Sequence, residues 1–225
     1  MRHHTTAALV LTALALTACS ADPSGTAPTA PSSPRGGHDA ADAKPLSSTA
    51  LSKRLLTEKD LGQGYVRQAE GTQHNDDVTV IGCPALDKLG GDGATRQSLD
   101  FPNEAKVAFT YSGGGDSEVS EELYSATAQK LSDGVGRIFD AMASCPKYQV
   151  ISGSTTIDMT TQTATAPDLG DDQWSQLLTY SVGGQRSAVK QTAIRTGNIV
   201  VVVSGSPALV STHLEKALAK ARSRG

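Results

Sequence analysis

Aromatic residues are scarce in this sequence. They make up 4% of the 225 residues, and Trp174 is the only tryptophan. Clefts that cleave sugars usually stack their substrate on aromatic rings, so the scarcity argues against a glycosidase. A hydrolase built on scattered Asp and Glu residues stays open as an alternative, because paired carboxylates can come from distant strands. We interpret Trp174 as a core or half-buried residue of a sheet.

Histidines that could act in catalysis are few as well. Beyond residue 45 the sequence has only His74 and His213. We interpret His74, in the polar segment TQHNDDV, as a solvated loop residue, and His213 as a surface residue of a helix. A serine hydrolase needs a nucleophile, a histidine base and an acid, and the G-x-S-x-G elbow that presents such a nucleophile is missing. We therefore assign no catalytic residue.

Three aspartates lie close to Trp174, namely Asp168, Asp171 and Asp172. Neighbouring carboxylates can bind calcium, but the spacing lacks the EF-hand pattern. Aspartate and glycine also favour turns without any metal, and we interpret the segment APDLGDD as a turn. We expect neither a metal site nor a cofactor in this chain.

Long apolar runs are also few. The one clear run, AALVLTALAL over residues 7–16, follows a polar head with Arg2, His3 and His4. A membrane span needs about twenty residues, so this run is too short to span and has the length of a signal-peptide core. The formal net charge is −3 and no basic stripe occurs, which argues against nucleic acid as a partner.

The end of the apolar run matches a bacterial lipobox. Leu16, Thr17 and Ala18 precede Cys19, whose thiol would take a diacylglyceryl group before cleavage ahead of it. We predict a lipoprotein signal peptide over residues 1–18 and lipidation of Cys19, so that membrane lipid is a partner of the chain. Two acyl chains anchor a protein stably where one is marginal. The alternative is an ordinary secretory peptide cut near Ala18.

The other two cysteines form an even pair. Cys83 and Cys145 would lie in an oxidising compartment if the chain is exported, so we predict a disulfide between them. Two buried free thiols are the alternative. A two-cysteine metal site is less favoured, because neither His74 nor His213 lies at ligand spacing to the pair.

The composition divides the exported part in two. Residues 19–45 are rich in Pro, Ser, Thr and Ala, with no aromatic residue, and we expect a disordered tether behind the acylated Cys19. Residues 46–225 have the length of one ordinary domain.

Periodicity within 46–225 predicts an α+β fold. Alternation and turn residues predict strands near residues 107–112, 118–123, 148–164, 174–182, 185–195 and 199–203. The run IVVVV over 199–203 is apolar on both faces, which predicts a central strand covered on both sides. Gly183 and Gly184 predict a tight hairpin.

Helical spacing predicts a short helix capped by Ser47 or Ser48, a turn after Cys83, a long helix over 125–144 and a terminal helix from Pro207. The apolar residues that recur along the long helix are Ala128, Leu131, Val135, Ile138, Phe139 and Met142. Those of the terminal helix that we expect to face the sheet are Val210, Leu214, Leu218 and Ala221. We expect one antiparallel sheet packed with a long central helix and with helices at both ends.

Several short motifs occur in a familiar order. LLTEKDLGQGY, CPAL, SCP, GDDQW and RTGNIVVVV, followed by a closing helix, resemble the extracytoplasmic sensor-like domain of PknH-type bacterial receptor kinases and its lipoprotein relatives. The resemblance covers residues 46–222 and implies an α+β domain with a cleft for an unknown ligand. Kinase members of that family have two disulfides, whereas this chain can form one.

Taken together, these patterns predict a non-catalytic ligand-binding or sensor-like domain, held by lipid on the extracytoplasmic face of the cell membrane. Its other partner would be an unknown small ligand or an envelope protein. A secreted hydrolase that uses Asp or Glu residues, and an accessory subunit of an envelope complex, are the two alternatives.

Overall fold

The computed structural model describes residues 44–69, 78–89, 101–113 and 117–223. The predicted signal peptide, Cys19, the tether up to residue 43, and His74 lie outside the described residues. Among the described residues, no helix is both long and apolar enough to span a bilayer.

Nine antiparallel strands form one sheet within the described residues. The strands are β1 Tyr65–Arg67, β2 Val78–Ile81, β3 Asn103–Tyr111, β4 Ser117–Ser125, β5 Lys147–Ser152, β6 Thr155–Thr163, β7 Asp172–Val182, β8 Gln185–Thr196 and β9 Ile199–Gly205. Their order across the sheet is β1-β3-β4-β9-β8-β7-β6-β5-β2. The short strands β1 and β2 therefore form its two edges. Neither of them was predicted from the sequence.

Helices precede, interrupt and follow the strands. They are α1 Ser48–Ser52, α2 Glu58–Leu61, α3 Pro84–Asp87, α4 Ala128–Ala143 and α5 Pro207–Arg222. Ser47 caps α1, as predicted, by accepting a hydrogen bond from the Ala50 amide. The predicted α+β class, with one antiparallel sheet, a long central helix and terminal helices, is confirmed.

The sheet buries both of its faces along β9. Every residue of β9 is buried, as the run IVVVV predicted. Ile199, Val201 and Val203 pack in a cluster with α5, whereas Val200 and Val202 pack in a cluster with α4. We refer to these two sides of the sheet as the α5 face and the α4 face.

The α5 face also holds the first helices of the domain. Leu51, Leu55, Leu56 and Leu61 join the α5 cluster and are all buried. The inward residues of α5 are Val210, His213, Leu214, Ala217, Leu218 and Ala221. Four of these, all except His213 and Ala217, were predicted to face the sheet from their helical spacing.

The α4 face is covered by the long helix. Leu131, Val135, Phe139 and Met142 are its main buried residues, as their spacing predicted. Thr127 begins the helix by accepting a hydrogen bond from the Lys130 amide at 3.3 Å. The helix delivers Cys145 to a position beside α3.

A disulfide joins Cys83, just before α3, to Cys145, just after α4. This is the bond predicted from the cysteine count. Both cysteines are buried, at 1% and 7% exposure, in an apolar cluster that includes Leu86 and Met142. The bond therefore fixes the end of α4 to α3 across a sequence separation of 62 residues.

Glycines define the hairpins. The segment 148–164, predicted as one long or broken strand, is two strands because Gly153 turns the chain at a φ of 56°. Gly183 and Gly184 have φ values of 57° and 83° and connect β7 to β8, as their pairing in the sequence predicted.

Candidate ligand-binding site

A row of polar side chains crosses the α4 face of the sheet. Gln176 of β7 lies opposite Gln191 of β8, Gln191 lies opposite Ser204 of β9, and Ser204 lies opposite Ser120 of β4. Cross-strand partners point to the same side of a sheet, so the four side chains share one face. We call these four residues the polar row.

Three of the four residues in the row are buried although they are polar, and Ser120 is half-buried. Gln176 and Ser204 are each 1% exposed, and Gln191 is 8% exposed. The Gln176 side-chain amide donates to Gln191 Oε1 at 2.8 Å and to Met142 Sδ at 3.1 Å. Gln176 thus connects two strands of the sheet to the helix above them.

The polar row separates two apolar clusters beneath α4. One cluster contains Phe101, Tyr124, Leu131, Val135, Phe139, Ala193, Val200 and Val202, with Trp174 at its margin. The other contains the disulfide, Leu86, Ala141, Met142, Tyr148, Val150 and Leu178. A continuous apolar core would be the simpler way to pack a helix on a sheet, so the polar row is a feature that packing alone does not require.

Two polar atoms of the row have no hydrogen-bond partner among the described residues. They are Gln176 Oε1 and Ser204 Oγ, and both are inaccessible to bulk solvent. Buried polar atoms are nearly always paired, because leaving one unpaired costs about 1–3 kcal/mol. The unpaired amide oxygen and the unpaired hydroxyl therefore each leave a hydrogen bond that a group outside the described residues can make.

Exposure increases in steps along β7 away from the row. Gln176 is 1% exposed, Leu178 is 9% exposed, Tyr180 is half-buried, and Val182 is 38% exposed. Alternate residues of a strand lie on the same face, so these four side chains form a line from the buried amide to the surface. The line is apolar after its first member.

Neighbouring strands extend this apolar line sideways. Val189 of β8 lies opposite Leu178, and Met159 of β6 lies opposite Tyr180. Val189 and Met159 are both half-buried and pack against the cluster that holds the disulfide. The α4 face thus has a buried polar end at the row and a half-exposed apolar end near the β7–β8 hairpin.

The charged groups beside the row have partners among the described residues. Glu122 lies in the next row of the sheet, is 6% exposed, and accepts a hydrogen bond from the Tyr124 hydroxyl. Lys106 lies opposite Glu122 and forms an ion pair with Glu104 at 3.4 Å. The polar row itself contains only amides and hydroxyls.

The aspartates considered for calcium serve another role. Asp172 binds Arg195 and Ser132, while Asp171 accepts hydrogen bonds from Arg195 Nη1 at 3.1 Å and from the Gly197 amide at 2.7 Å. Burial by itself would raise the pKa of Asp172, but hydrogen bonds from Ser132 and Arg195 outweigh this effect. The pKa of Asp172 therefore lies below its ordinary value. Within the described ranges, no group of three or more acidic, histidine or cysteine side chains is placed to hold a metal.

Trp174 lies at the edge of the helix-covered core. Its ring centroid is 6.2 Å from that of Phe139, and the side chain is half-buried. This agrees with its interpretation as a half-buried residue of a sheet. It lies on the α4 face two residues before Gln176.

His213 differs from its interpretation as a surface residue, which was wrong. It is 6% exposed, and its Nε2 lies 2.6 Å from the Tyr65 hydroxyl. The reason is β1, which places the Tyr65 ring against the imidazole on the α5 face. Burial lowers the pKa of His213, and the positive charge of Lys216 lowers it further.

Comparison with known proteins gives a match of fold. No protein-family model matches the chain, and no curated protein matches it at a significant level. The crystal structure of the extracellular domain of PknH from Mycobacterium tuberculosis has 15% identity and a TM-score of 0.56, over 79% of this chain and 97% of that one.

A second solved structure is less similar. The X-ray structure of an uncharacterised protein, the Rv0999 ortholog from Mycobacterium smegmatis, has 10% identity and a TM-score of 0.42, over 77% of this chain and 97% of that one. The predicted resemblance to the PknH sensor domain is therefore confirmed at the level of the fold, through the first of the two structures.

Proposed function

We propose that this chain is a membrane-anchored, extracytoplasmic binding module without catalytic chemistry of its own. The observation that carries the proposal is the fold, which is similar to an extracellular domain over 97% of that domain's length. The lipobox that ends at Cys19 supports the anchor. The disulfide between Cys83 and Cys145 supports an oxidising compartment outside the cytoplasm.

The polar row supports small-molecule binding as the activity. Binding sites combine apolar walls with a few polar groups that orient the ligand. Here Gln176 Oε1 and Ser204 Oγ supply the polar groups, and the half-exposed apolar line of β7 supplies a wall. On the α5 face, the described residues do not combine an unpaired buried amide with an unpaired buried hydroxyl.

The anchor is tested by intact-mass analysis of protein extracted from membranes. The wild-type chain should begin at Cys19 and carry the mass of its acyl groups. The Cys19→Ala variant should keep residues 1–18 and carry no acyl mass. A wild-type chain that keeps its first eighteen residues with a bare thiol at Cys19 would show that the lipoprotein assignment is wrong.

Binding is tested by native mass spectrometry of the full chain after extraction. A co-purified adduct of one molecule per chain is expected, and it should be lost in Gln176→Leu. The control is Gln149→Leu, because Gln149 is an exposed glutamine of β5 whose side chain bonds only Asp158 among the described residues. An adduct that survives Gln176→Leu would place binding elsewhere on the chain.

A further inference from the structure

We propose that the polar row binds an uncharged amphipathic molecule, with a head of several hydroxyl or amide groups at Gln176 and Ser204 and an apolar chain along β7. This ligand class rests on the proposed binding function. It follows from the chemistry of the two unpaired atoms, from the spacing between them and from the exposure of β7.

The head must be able to donate a hydrogen bond. Gln176 Oε1 can only accept, because it is a carbonyl oxygen and carries no hydrogen. The amide nitrogen of the same side chain already donates to Gln191 and Met142. Ser204 Oγ can donate or accept. A hydroxyl or a primary amide satisfies both atoms, whereas an ether, an ester or a carboxylate has no hydrogen to give to Gln176.

The spacing favours more than one polar group in the head. Gln176 lies on β7 and Ser204 on β9, with β8 between them. Two strand spacings separate the backbones by about 10 Å. A head with two or three hydroxyls, such as the glycerol of a monoacylglycerol, reaches both side chains over that span more easily than a single hydroxyl does.

The head is neutral because the charged groups nearest the row, among the described residues, already have partners. Glu122 accepts from Tyr124, and Asp172 is bound by Arg195 and Ser132. A charged head at Gln176, which is 1% exposed, would be buried without an opposite charge. That arrangement is strongly unfavourable for an ion and not for a neutral group of the same size.

The apolar chain follows from β7. From Gln176 the line passes Leu178 and Tyr180 and reaches Val182 at the surface, about 20 Å away for six residues of extended strand. Met159 and Val189 flank this line. A single acyl chain laid along it would cover, beyond the buried Leu178, apolar side chains that the protein leaves partly exposed.

Trp174 provides a built-in reporter for the test. It is the only tryptophan of the chain and lies next to Gln176 on the same face. Titrating the full chain with a monoacylglycerol brominated on the acyl carbon next to its glycerol head, which would lie beside Trp174, should quench its fluorescence saturably, with one molecule bound per chain by native mass spectrometry. The matched brominated fatty acid, which is charged at pH 7.5, should bind at least tenfold more weakly.

Two variants test the placement of the head and of the chain. Gln176→Leu should weaken binding of the brominated monoacylglycerol at least tenfold. Val182→Asp, a change at an exposed position that does not endanger folding, should weaken it severalfold. Gln149→Leu should bind as the wild type does. Circular dichroism and melting temperature establish that each variant is folded.

The outcomes separate the ligand class from the binding function. Equal or tighter binding of the fatty acid overturns the neutral head, and unchanged binding in both Gln176→Leu and Val182→Asp overturns the placement. If the monoacylglycerol does not bind but a co-purified adduct is lost in Gln176→Leu, the ligand class is wrong and the binding function stands. If neither probe nor adduct is found, both proposals are wrong.

Discussion

The backbone amide of Leu56 donates a hydrogen bond to Glu121 Oε2 at 2.6 Å. Leu56 lies between α1 and α2, and Glu121 lies on the α5 face of β4 with 1% exposure. Burial raises the pKa of Glu121 to about 8, against the opposing effects of the Leu56 amide and Lys220, and Asp60 raises it further. Glu121 is therefore mostly protonated at neutral pH.

This proton makes the stability of the domain depend on pH. The folded chain keeps the proton up to about pH 8, whereas an unfolded glutamate releases it near its ordinary value of 4.5. The folded state binds more protons between these values, so stability should fall as pH rises from 4.5 to 8 and level off above. Glutamine cannot release a proton, so Glu121→Gln should not lose stability in this way. The difference in free energy of unfolding between Glu121→Gln and wild type should therefore grow by on the order of 4 kcal/mol from pH 4.5 to pH 8.

Urea unfolding at pH 4.5, 6 and 8 measures the effect. Glu118→Gln is the matched control, since Glu118 is an exposed acid on the same strand and should leave the wild-type profile unchanged. Parallel pH profiles for Glu121→Gln and wild type would mean that Glu121 is ionised in the folded protein.

Two glycines of α4 make a second matched pair. A Cβ at Gly134 would lie 2.7 Å from Cζ of Phe101, whereas a Cβ at Gly136 would lie 3.8 Å from its nearest neighbour, Nε1 of Trp174. Alanine stabilises a helix interior by roughly 1 kcal/mol over glycine. Gly136→Ala should therefore raise the free energy of unfolding by about 0.5–1 kcal/mol, and Gly134→Ala should lower it because buried Phe101 must move. Equal gains in thermal unfolding would contradict the close contact.

The same glycines show which features of α4 can be predicted from its local sequence and which cannot. The period of Leu131, Val135, Phe139 and Met142 predicted α4 and its inward face, because that period is itself what packs. It could not explain the glycines, which weaken the helix when considered alone. A glycine is needed at position 134 because the Phe101 ring lies close to it. Phe101 comes 33 positions earlier in the sequence and approaches Gly134 only in the folded chain.

Elements that depend on distant partners could not be predicted. β1 has three residues and forms by pairing Tyr65 with Tyr111, and β2 forms by pairing Val78 with Ser152. The burial of His213 follows from β1 and was missed with it.

The polar row was missed for a related reason. Gln176 and Gln191 are ordinary strand residues in the sequence, and only the register of β7, β8 and β9 aligns them with Ser204. A polar residue at an inward position of two successive strands was the available signal. It becomes a site only when the cross-strand partners are known.

The contact between Tyr65 and His213 gives a third prediction. Tyr65→Phe keeps the ring that stacks 4.7 Å from Tyr111 but removes the hydroxyl beside His213 Nε2. A buried ring nitrogen without its partner should cost about 1–3 kcal/mol of the free energy of unfolding. Tyr111→Phe, which leaves that contact intact, should cost less.

The sign of the pH effect adds a second readout. Burial lowers the pKa of His213, so the unfolded chain binds its proton first as the pH falls below 6.5. The stability from neutral His213 is thus complete above pH 6.5 and is lost as the pH falls. NMR titration of His213 should show a pKa below 6.5, and an ordinary value would mean that the ring is solvated.

The disulfide gives the last prediction, because it links stability to the candidate site. Replacing Cys83 and Cys145 by serine should lower the free energy of unfolding by roughly 4 kcal/mol for a closed loop of this length. Met142, which the Gln176 amide contacts, lies one helical turn before Cys145, so loss of the bond should also free the end of α4 above the polar row.

Amide hydrogen exchange distinguishes these two effects. In the reduced or double-serine protein, residues 138–145 should exchange faster, and α5, on the other face, should change only as global stability does. Uniform acceleration of both helices would mean that the bond acts on the unfolded chain alone. Alkylation in denaturant without reductant should label neither Cys83 nor Cys145, and labelling of both would show that the two sulfurs are not joined.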